Sequence, residues 1–304
     1  MLYNYNKFLK TFKIIIPILF TIGLLSCDKF DGNQTVPAYV HIDQIKLVNT
    51  SNANVGSLSN SITDAWVYVD DQYIGAFEMP ATFPVLYEGT HTIKVLPGIL
   101  MNGIANTRIA YPFYSAITLT ETFNDNVTLK LDTLTTQYDP KTYFEFIENF
   151  EGAGITFQKS TIHTSDTTIV KTNQPGQVFE GNYSGLIYLD SAMAFFEIET
   201  INTYTLPRES SPVFLELNYK INSPLTIGID AYYSGTPTQV PIISLNPTNV
   251  WTKIYVNLTP YISNNTTADY FKVYMGQYKD PSLTTATLLF DNIKLVHFIN
   301  AKKK

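Results

Sequence analysis

The 304-residue sequence contains one cysteine, Cys27, and few charges, with 20 Lys and Arg against 26 Asp and Glu. A single cysteine excludes an intramolecular disulfide framework and any multi-cysteine zinc or iron–sulfur site. A net charge of −6 argues against a nucleic-acid binder, which needs a basic face. His41, His91, His163 and His297 lie far apart, and none has metal-ligand spacing. No phosphate loop and no nucleophile elbow is present. Stretches with helical period are almost missing, and alternation of apolar and polar residues replaces them. Aromatics are plentiful, with 21 Tyr and 19 Phe. Together with abundant Thr and Asn they indicate a β protein facing outward from a cell, long enough for one large domain or two ordinary ones.

The N-terminus carries Lys7, Lys10 and Lys13, then an apolar run from Ile14 to Leu25 broken by Pro17. That run is far short of the roughly 20 residues a membrane-spanning helix needs. It ends in Leu24-Leu25-Ser26-Cys27, which resembles the lipobox of bacterial lipoproteins. The resemblance implies a signal peptide over residues 1–26, cleavage before Cys27, and acyl chains (palmitate among them) on that residue. Two or more chains hold a soluble body stably on a bilayer, where one does not. Residues 27–37 are polar, with Gly and Pro, and read as a tether. Asp28 and Asp31 weakly resemble the acidic export signal of Bacteroidota lipoproteins, so the expected place is the bacterial outer membrane, on its periplasmic or its cell-surface side.

Residues 38–135 read as a small β domain. Ala65 to Asp70 alternates, Asp70-Asp71-Gln72 is a turn signal, and Tyr73-Ile74-Gly75 follows, which makes a hairpin. Thr90 to Val95 is a strand expected to stop at Pro97-Gly98. With Pro80 on the intervening loop and Glu88-Gly89 before that strand, Ala65 to Gly98 resembles the PEGA domain of bacterial envelope proteins. Asp70-Asp71 departs from the usual Asp-Gly and leaves the turn type open. The resemblance implies a spacer or adhesion module, with His91 a structural strand residue.

The polar stretch Thr133 to Lys141 places a boundary, and residues 143–299 follow as many short strands with Pro and Gly breaks, the pattern of a β-sandwich. Asn149-Phe150-Glu151-Gly152, Gly181-Asn182-Tyr183-Ser184-Gly185, Val250-Trp251 and the closing Phe290-Asp291-Asn292-Ile293-Lys294-Leu295 resemble the galactose-binding-like jelly roll of carbohydrate-binding modules. No motif requires a cofactor. The resemblance implies a structural Ca²⁺ at Glu151 and Asp291, with Glu148 as a further ligand. The alternative is that Asp291 caps a turn and Glu151 is solvated.

Sugar rings stack on aromatic faces, and Tyr adds a hydroxyl. Tyr204, Tyr232, Tyr233 and Tyr278 lie near loops and are the ligand-binding candidates, with packing as the alternative for each; Trp251 reads as a core residue at a strand start. Glu197 and Glu199 share one strand face about 7 Å apart, within reach of glycosidase geometry. They lack the Glu-x-Asp-x-Glu pattern of jelly-roll glycosidases, so they read as a solvent-facing strand edge and no catalytic residue is assigned. Asp-Thr and Asp-Ser triplets at Thr133, Thr167 and Ser191 resemble the O-glycosylation motif of exported Bacteroidota proteins.

The expected molecule is all-β, with a small PEGA-like domain followed by a jelly roll. Its expected function is non-catalytic binding of a glycan or an envelope protein at the membrane. The alternatives are an accessory subunit of an outer-membrane assembly, such as a secretion or gliding apparatus, and a glycan hydrolase. Tyr and carboxylates lining the outer domain's sheet would favour binding; Thr and Lys there would favour a structural role.

Overall fold

The computed structural model describes residues 36–299 apart from residue 52, so Cys27 and the segment before it lie outside the described residues. No described helix is long and apolar enough to cross a membrane.

The first body is built from ten strands: β1 (Ala38–Ile42), β2 (Gln44–Leu47), β3 (Asp64–Val69), β4 (Gln72–Glu78), β5 (Ala81–Val85), β6 (Gly89–Leu100), β7 (Arg108–Ala110), β8 (Ile117–Phe123), β9 (Thr128–Lys130) and β10 (Thr133–Thr136). The sheet β4-β3-β6 is extended by β7 and β8, both on β6. It packs against the ribbon β5-β1-β9 over Val40, Ile42, Val67, Val69, Phe83, Ile93 and Val95. The β3–β4 hairpin forms where the sequence places it, and the turn type is settled: Asp70 and Asp71 have φ of 48° and 61°. Both central residues are left-handed, as a two-residue type I′ connection requires. The Asp70 carboxylate accepts from Thr92 N–H at 3.0 Å and pairs with His91 Nδ1 at 2.6 Å, which ties the turn to β6.

The run Val40 to Leu47 is divided between two strands in different sheets, because the N–H groups of Asp43 and Gln44 turn to the Asp132 carbonyl. One expectation changes. Pro97-Gly98 does not end β6, which continues to Leu100. Gly98 lets the Trp66 ring lie across the strand, since a Cβ there would come within 2.8 Å of Trp66 Cδ1.

The second body is a two-sheet sandwich of β11 (Thr142–Glu148), β12 (Phe157–Lys159), β13 (Val170–Thr172), β14 (Ser184–Leu189), β15 (Phe195–Thr200), β16 (Val213–Ile221), β17 (Leu225–Tyr233), β18 (Thr236–Leu245), β19 (Thr252–Asn257), β20 (Tyr270–Tyr278) and β21 (Ala286–Phe298), with one short helix, α1 (Thr259–Asn264). One sheet runs β13-β14-β21-β16-β19 with β11 also on β21; the other runs β12-β15-β20-β17-β18. Their inner faces enclose Phe196, Ile198, Ile227, Ile229, Phe271 and Val273 from one side and Leu215, Leu217, Leu288, Phe290 and Leu295 from the other. The all-β sandwich expected from the alternation is therefore the fold. Trp251 is half-buried just before β19, against Phe179 with ring centres 5.3 Å apart, and does not join the core.

The two bodies share a third apolar cluster. Tyr111, Phe113, Tyr114 and Tyr138 pack against Phe214, Tyr255 and Val296. Inside it lies Glu216, fully buried. Its carboxylate accepts from Tyr111 Oη at 2.8 Å and Tyr138 Oη at 2.9 Å, and pairs with Lys253 Nζ at 3.1 Å. Lys294 Nζ donates to Tyr138 Oη at 3.2 Å and to the Ser57 carbonyl at 2.7 Å. Burial opposes the Glu216 charge, but Lys253, Lys294 and the Tyr111 hydroxyl outweigh it and hold the pKa below its usual value. Burial pulls Lys294 down to about 7 against the support of Glu216.

Candidate functional site

The outward face of the sheet β12-β15-β20-β17-β18 carries the polar chemistry. Alternation sends Phe196, Ile198, Phe271, Val273, Ile227 and Ile229 inward, so their neighbours in sequence point out. The register then builds rows across the strands. Phe195 sits opposite Tyr278; Glu197 opposite Gly276, and Gly276 opposite Thr226; Glu199 opposite Tyr274, and Tyr274 opposite Gly228; Lys272 opposite Asp230; and Tyr270 opposite Tyr232.

The two glycines are the device that makes this face deep. A Cβ on Gly276 would meet Glu197 Cγ at 2.9 Å, so its absence lets the Glu197 side chain lie across β20. A Cβ on Gly228 would meet the Tyr274 ring at 2.3 Å and the Val240 carbonyl at 2.5 Å, so its absence lets that ring lie over β17.

Glu197 and Glu199 are not a solvent-facing edge. Strand β15 lies between β12 and β20, and the two carboxylates are buried, with side-chain exposures of 5% and 0%. Strand alternation in the sequence establishes a shared face but not what covers it. Here the loop after β12 folds over them. Thr161 Oγ1 donates to the Glu199 carboxylate at 3.2 Å, and His163 Nδ1 lies 2.9 Å from Glu197 Oε1. Glu199 is completed by Lys272 Nζ at 2.6 Å and Gln158 Nε2 at 3.1 Å.

Asp230 is fully buried; Gln239 Nε2 donates to its Oδ1 at 3.3 Å, and its Oδ2 has no partner. Burial, reinforced by Glu199 and Glu197 and opposed by Gln239 and Lys272, pushes its carboxyl up to about 7. Burial first, then the Asp230 and Glu197 charges, raises the Tyr274 phenol.

At one end the face opens into a depression of about 350 Å³ lined by His163, Thr164, Phe195, Glu197 and Tyr278. Tyr278 is 67% exposed, and its ring centre lies 4.6 Å from that of Phe195. His163 keeps half its side chain in solvent while Glu197 holds one of its nitrogens. An aromatic wall, an imidazole and a carboxylate floor thus converge on a volume suited to a sugar ring.

The four candidate tyrosines part company. Tyr278 is on this wall. Tyr232 faces the same side but is buried in a stack with Tyr270, ring centres 4.7 Å apart. Tyr233 packs half-buried against the core and donates to Asn265 Oδ1 at 2.5 Å. Tyr204 is a correction: it is buried at 5% exposure beside Phe146, because its backbone bridges Phe271 and draws the ring inward. Phe195, His163, Glu197 and the two glycines were not assigned to a ligand from the sequence. The signal was present in Ile227-Gly228-Ile229-Asp230 and Phe271-Lys272-Val273, where charges and glycines occupy the outward phase of otherwise apolar strands.

The acidic residues near the sandwich's other end hold loops. Glu148 accepts from the N–H groups of Phe150 at 2.7 Å and Thr156 at 2.5 Å. Glu151 accepts from Tyr183 N–H at 2.9 Å and Asn182 N–H at 2.7 Å, which lowers its pKa. Asp291 accepts from Ser184 Oγ at 2.6 Å and from Asn292 N–H at 2.8 Å, yet burial pushes it up to about 6. Lone pairs spent on N–H and O–H donors are not free for Ca²⁺, which takes six to eight oxygens. Among the described residues no three His, Cys, Asp or Glu side chains gather as a metal set. Thr133 and Ser191 are exposed and Thr167 is half-buried.

No family model matches the chain, and no curated protein matches it. Solved structures give remote likenesses. The C-terminal family 22 carbohydrate-binding module of Clostridium thermocellum Xyn10B is 12% identical, with a TM-score of 0.37, over 53% of this chain and 96% of that one. The family 11 carbohydrate-binding module of the cellulosomal cellulase Lic26A-Cel5E from the same organism is 11% identical, with a TM-score of 0.35, over 53% and 98%. The enzymatically active domain of bacteriophage CBA120 tailspike protein 4 is 11% identical, with a TM-score of 0.39, over 57% of this chain and 26% of that one. At these scores none of them bears on what this chain binds.

Proposed function

We propose that the chain is a lipid-anchored, non-catalytic binding protein of the bacterial envelope, and that its sandwich domain holds a glycan in the depression beside Tyr278. One observation carries the glycan assignment: an exposed Tyr278–Phe195 wall stands over the Glu197–His163 pair on a face cleared by Gly228 and Gly276. Aromatic faces take the C–H side of a sugar, and the carboxylate and imidazole accept from or donate to its hydroxyls. The anchor rests on Leu24-Leu25-Ser26-Cys27. The PEGA-like body then serves as the spacer between bilayer and site.

The test is a glycan array with the mature protein, followed by titration of the hits against Tyr278→Ala. Loss of the stacking surface is expected to weaken binding about threefold to tenfold. Unchanged affinity, or no hit on the array, overturns the assignment. For the anchor, Cys27→Ser is expected to move the protein from the membrane to the soluble fraction; a variant that stays membrane-bound overturns it.

A glycan hydrolase is the second reading, favoured by Asp230 at about 7, a value suited to a proton donor. Against it, Asp230 and Glu199 have no exposed surface with which to touch a sugar. Reducing-end release from the array hits, lost in Glu197→Gln and Asp230→Asn, would establish hydrolysis.

A further inference from the structure

Resting on the glycan assignment, the charge inventory of this face narrows the ligand class. Three carboxylates, Glu197, Glu199 and Asp230, share the outward side, and Lys272 is the cation placed among them. Lys272 is committed to Glu199 at 2.6 Å. Two more lysines lie on flanking segments, but their ammonium groups turn to their own loops. Lys159 Nζ donates to the Ser165 and Asp166 carbonyls at 2.9 and 3.1 Å, and Lys279 Nζ to the carbonyls of Asp280 at 3.3 Å and Leu283. The Glu197 side chain, at the floor of the depression, is met by His163 and by no lysine or arginine among the described residues. Asp230, on the same side of the sheet, is fully buried and outside the lining of the depression, so it does not reach a ligand there. Glu197 is therefore the carboxylate at the floor, with acceptor capacity beyond its contact with His163 that no lysine or arginine of the described residues fills.

We infer that the depression takes a glycan carrying a free amino group, with the ammonium on Glu197 and the sugar ring against Tyr278 and Phe195. An ammonium donates three hydrogen bonds, and bonds between charged partners are about twice as strong as neutral ones. The same cation gains further from the aromatic faces beside it. An N-acetylated sugar offers only a neutral amide there, and a uronic acid brings like charge to a carboxylate with no compensating cation.

Calorimetric titration of the mature protein at neutral pH, with oligomers of glucosamine, of N-acetylglucosamine and of galacturonic acid, tests this. The glucosamine oligomer is expected to bind about tenfold or more tighter than the acetylated one, and the uronate weakest. Glu197→Gln is expected to abolish the preference for the amine, while Tyr278→Ala weakens both amino-sugar ligands alike. Because Glu197 is buried, its variant is checked for a native melting transition. If it has none, His163→Ala takes its place, and is expected to strengthen amine binding by freeing Glu197; weaker or unchanged binding then overturns the inference. Equal affinity for the amine and its acetamide, or preference for the uronate, overturns it too. Binding confined to a neutral glycan on the array overturns it while the glycan assignment stands; binding to no glycan at all removes both.

Discussion

Replacing Glu216 by Gln takes the negative charge from between two buried lysines while leaving an amide oxygen for Tyr111 and Tyr138 to donate to. The wild-type carboxylate touches Lys253 Nζ at 3.1 Å and supports Lys294 through Tyr138. Removing one partner of a buried ion pair leaves an uncompensated charge and costs about 3–5 kcal/mol. Lys294 adds a pH signature. Its folded pKa is about 7 against an ordinary 10.5, so between those values the unfolded chain binds more protons than the folded one. Stability therefore rises with pH across that window. Without Glu216 the folded value falls further, and the window extends downward. Below neutrality the variant should lose roughly 1 kcal/mol more per pH unit than the wild type does. Urea unfolding followed by tyrosine and tryptophan fluorescence, at about pH 6 and about pH 8, measures this, with the larger loss expected at the lower pH. A loss under about 1 kcal/mol, or one that is the same or smaller at the lower pH, would show that the charge does not hold the junction.

Three further outcomes are expected. Gly228→Ala drives a methyl into the Tyr274 ring and the Val240 carbonyl, and should cost about 1–3 kcal/mol in chemical denaturation; a neutral result would mean that the ring moves aside freely. Asp71→Gly relieves a left-handed residue at φ 61° whose ion pair with Lys94 is exposed, so a gain of up to about 1 kcal/mol is expected, read as a higher unfolding midpoint. Asp70 raises the pKa of His91, chiefly through their hydrogen bond, and is itself lowered in return, so the pair contributes to stability above the carboxylate's titration and loses it as pH rises through that of His91. NMR titration of Asp70→Asn should bring the His91 midpoint back toward an ordinary imidazole; an unmoved midpoint would assign the shift elsewhere.

Much of the fold is legible because strand alternation is a local property. Ala65 to Gly75 gives its hairpin directly, since Asp70-Asp71 tolerates the left-handed backbone that the turn imposes. The sandwich strands are equally plain, from the apolar phase of Val213 to Ile221 or of Leu225 to Tyr233. What escapes is whatever depends on the neighbour across the sheet. Glu197 and Glu199 look like an exposed pair until Lys272, Thr161 and His163 close over them from segments distant in sequence. Tyr204 looks like a loop aromatic until its backbone pairs with Phe271. The junction was invisible for the same reason: Tyr111, Tyr138 and Glu216 come together across a spacing of 105 and 78 residues.

The five residues between β10 and β11 do not act as a hinge, because Tyr138 among them is buried in the cluster that both bodies share. Any load applied at Tyr278 must pass through a solid seam of rings and paired charges before it reaches the first body. The depression beside Tyr278 is thereby held in a fixed attitude to the first body, as one end of a single stiff arm.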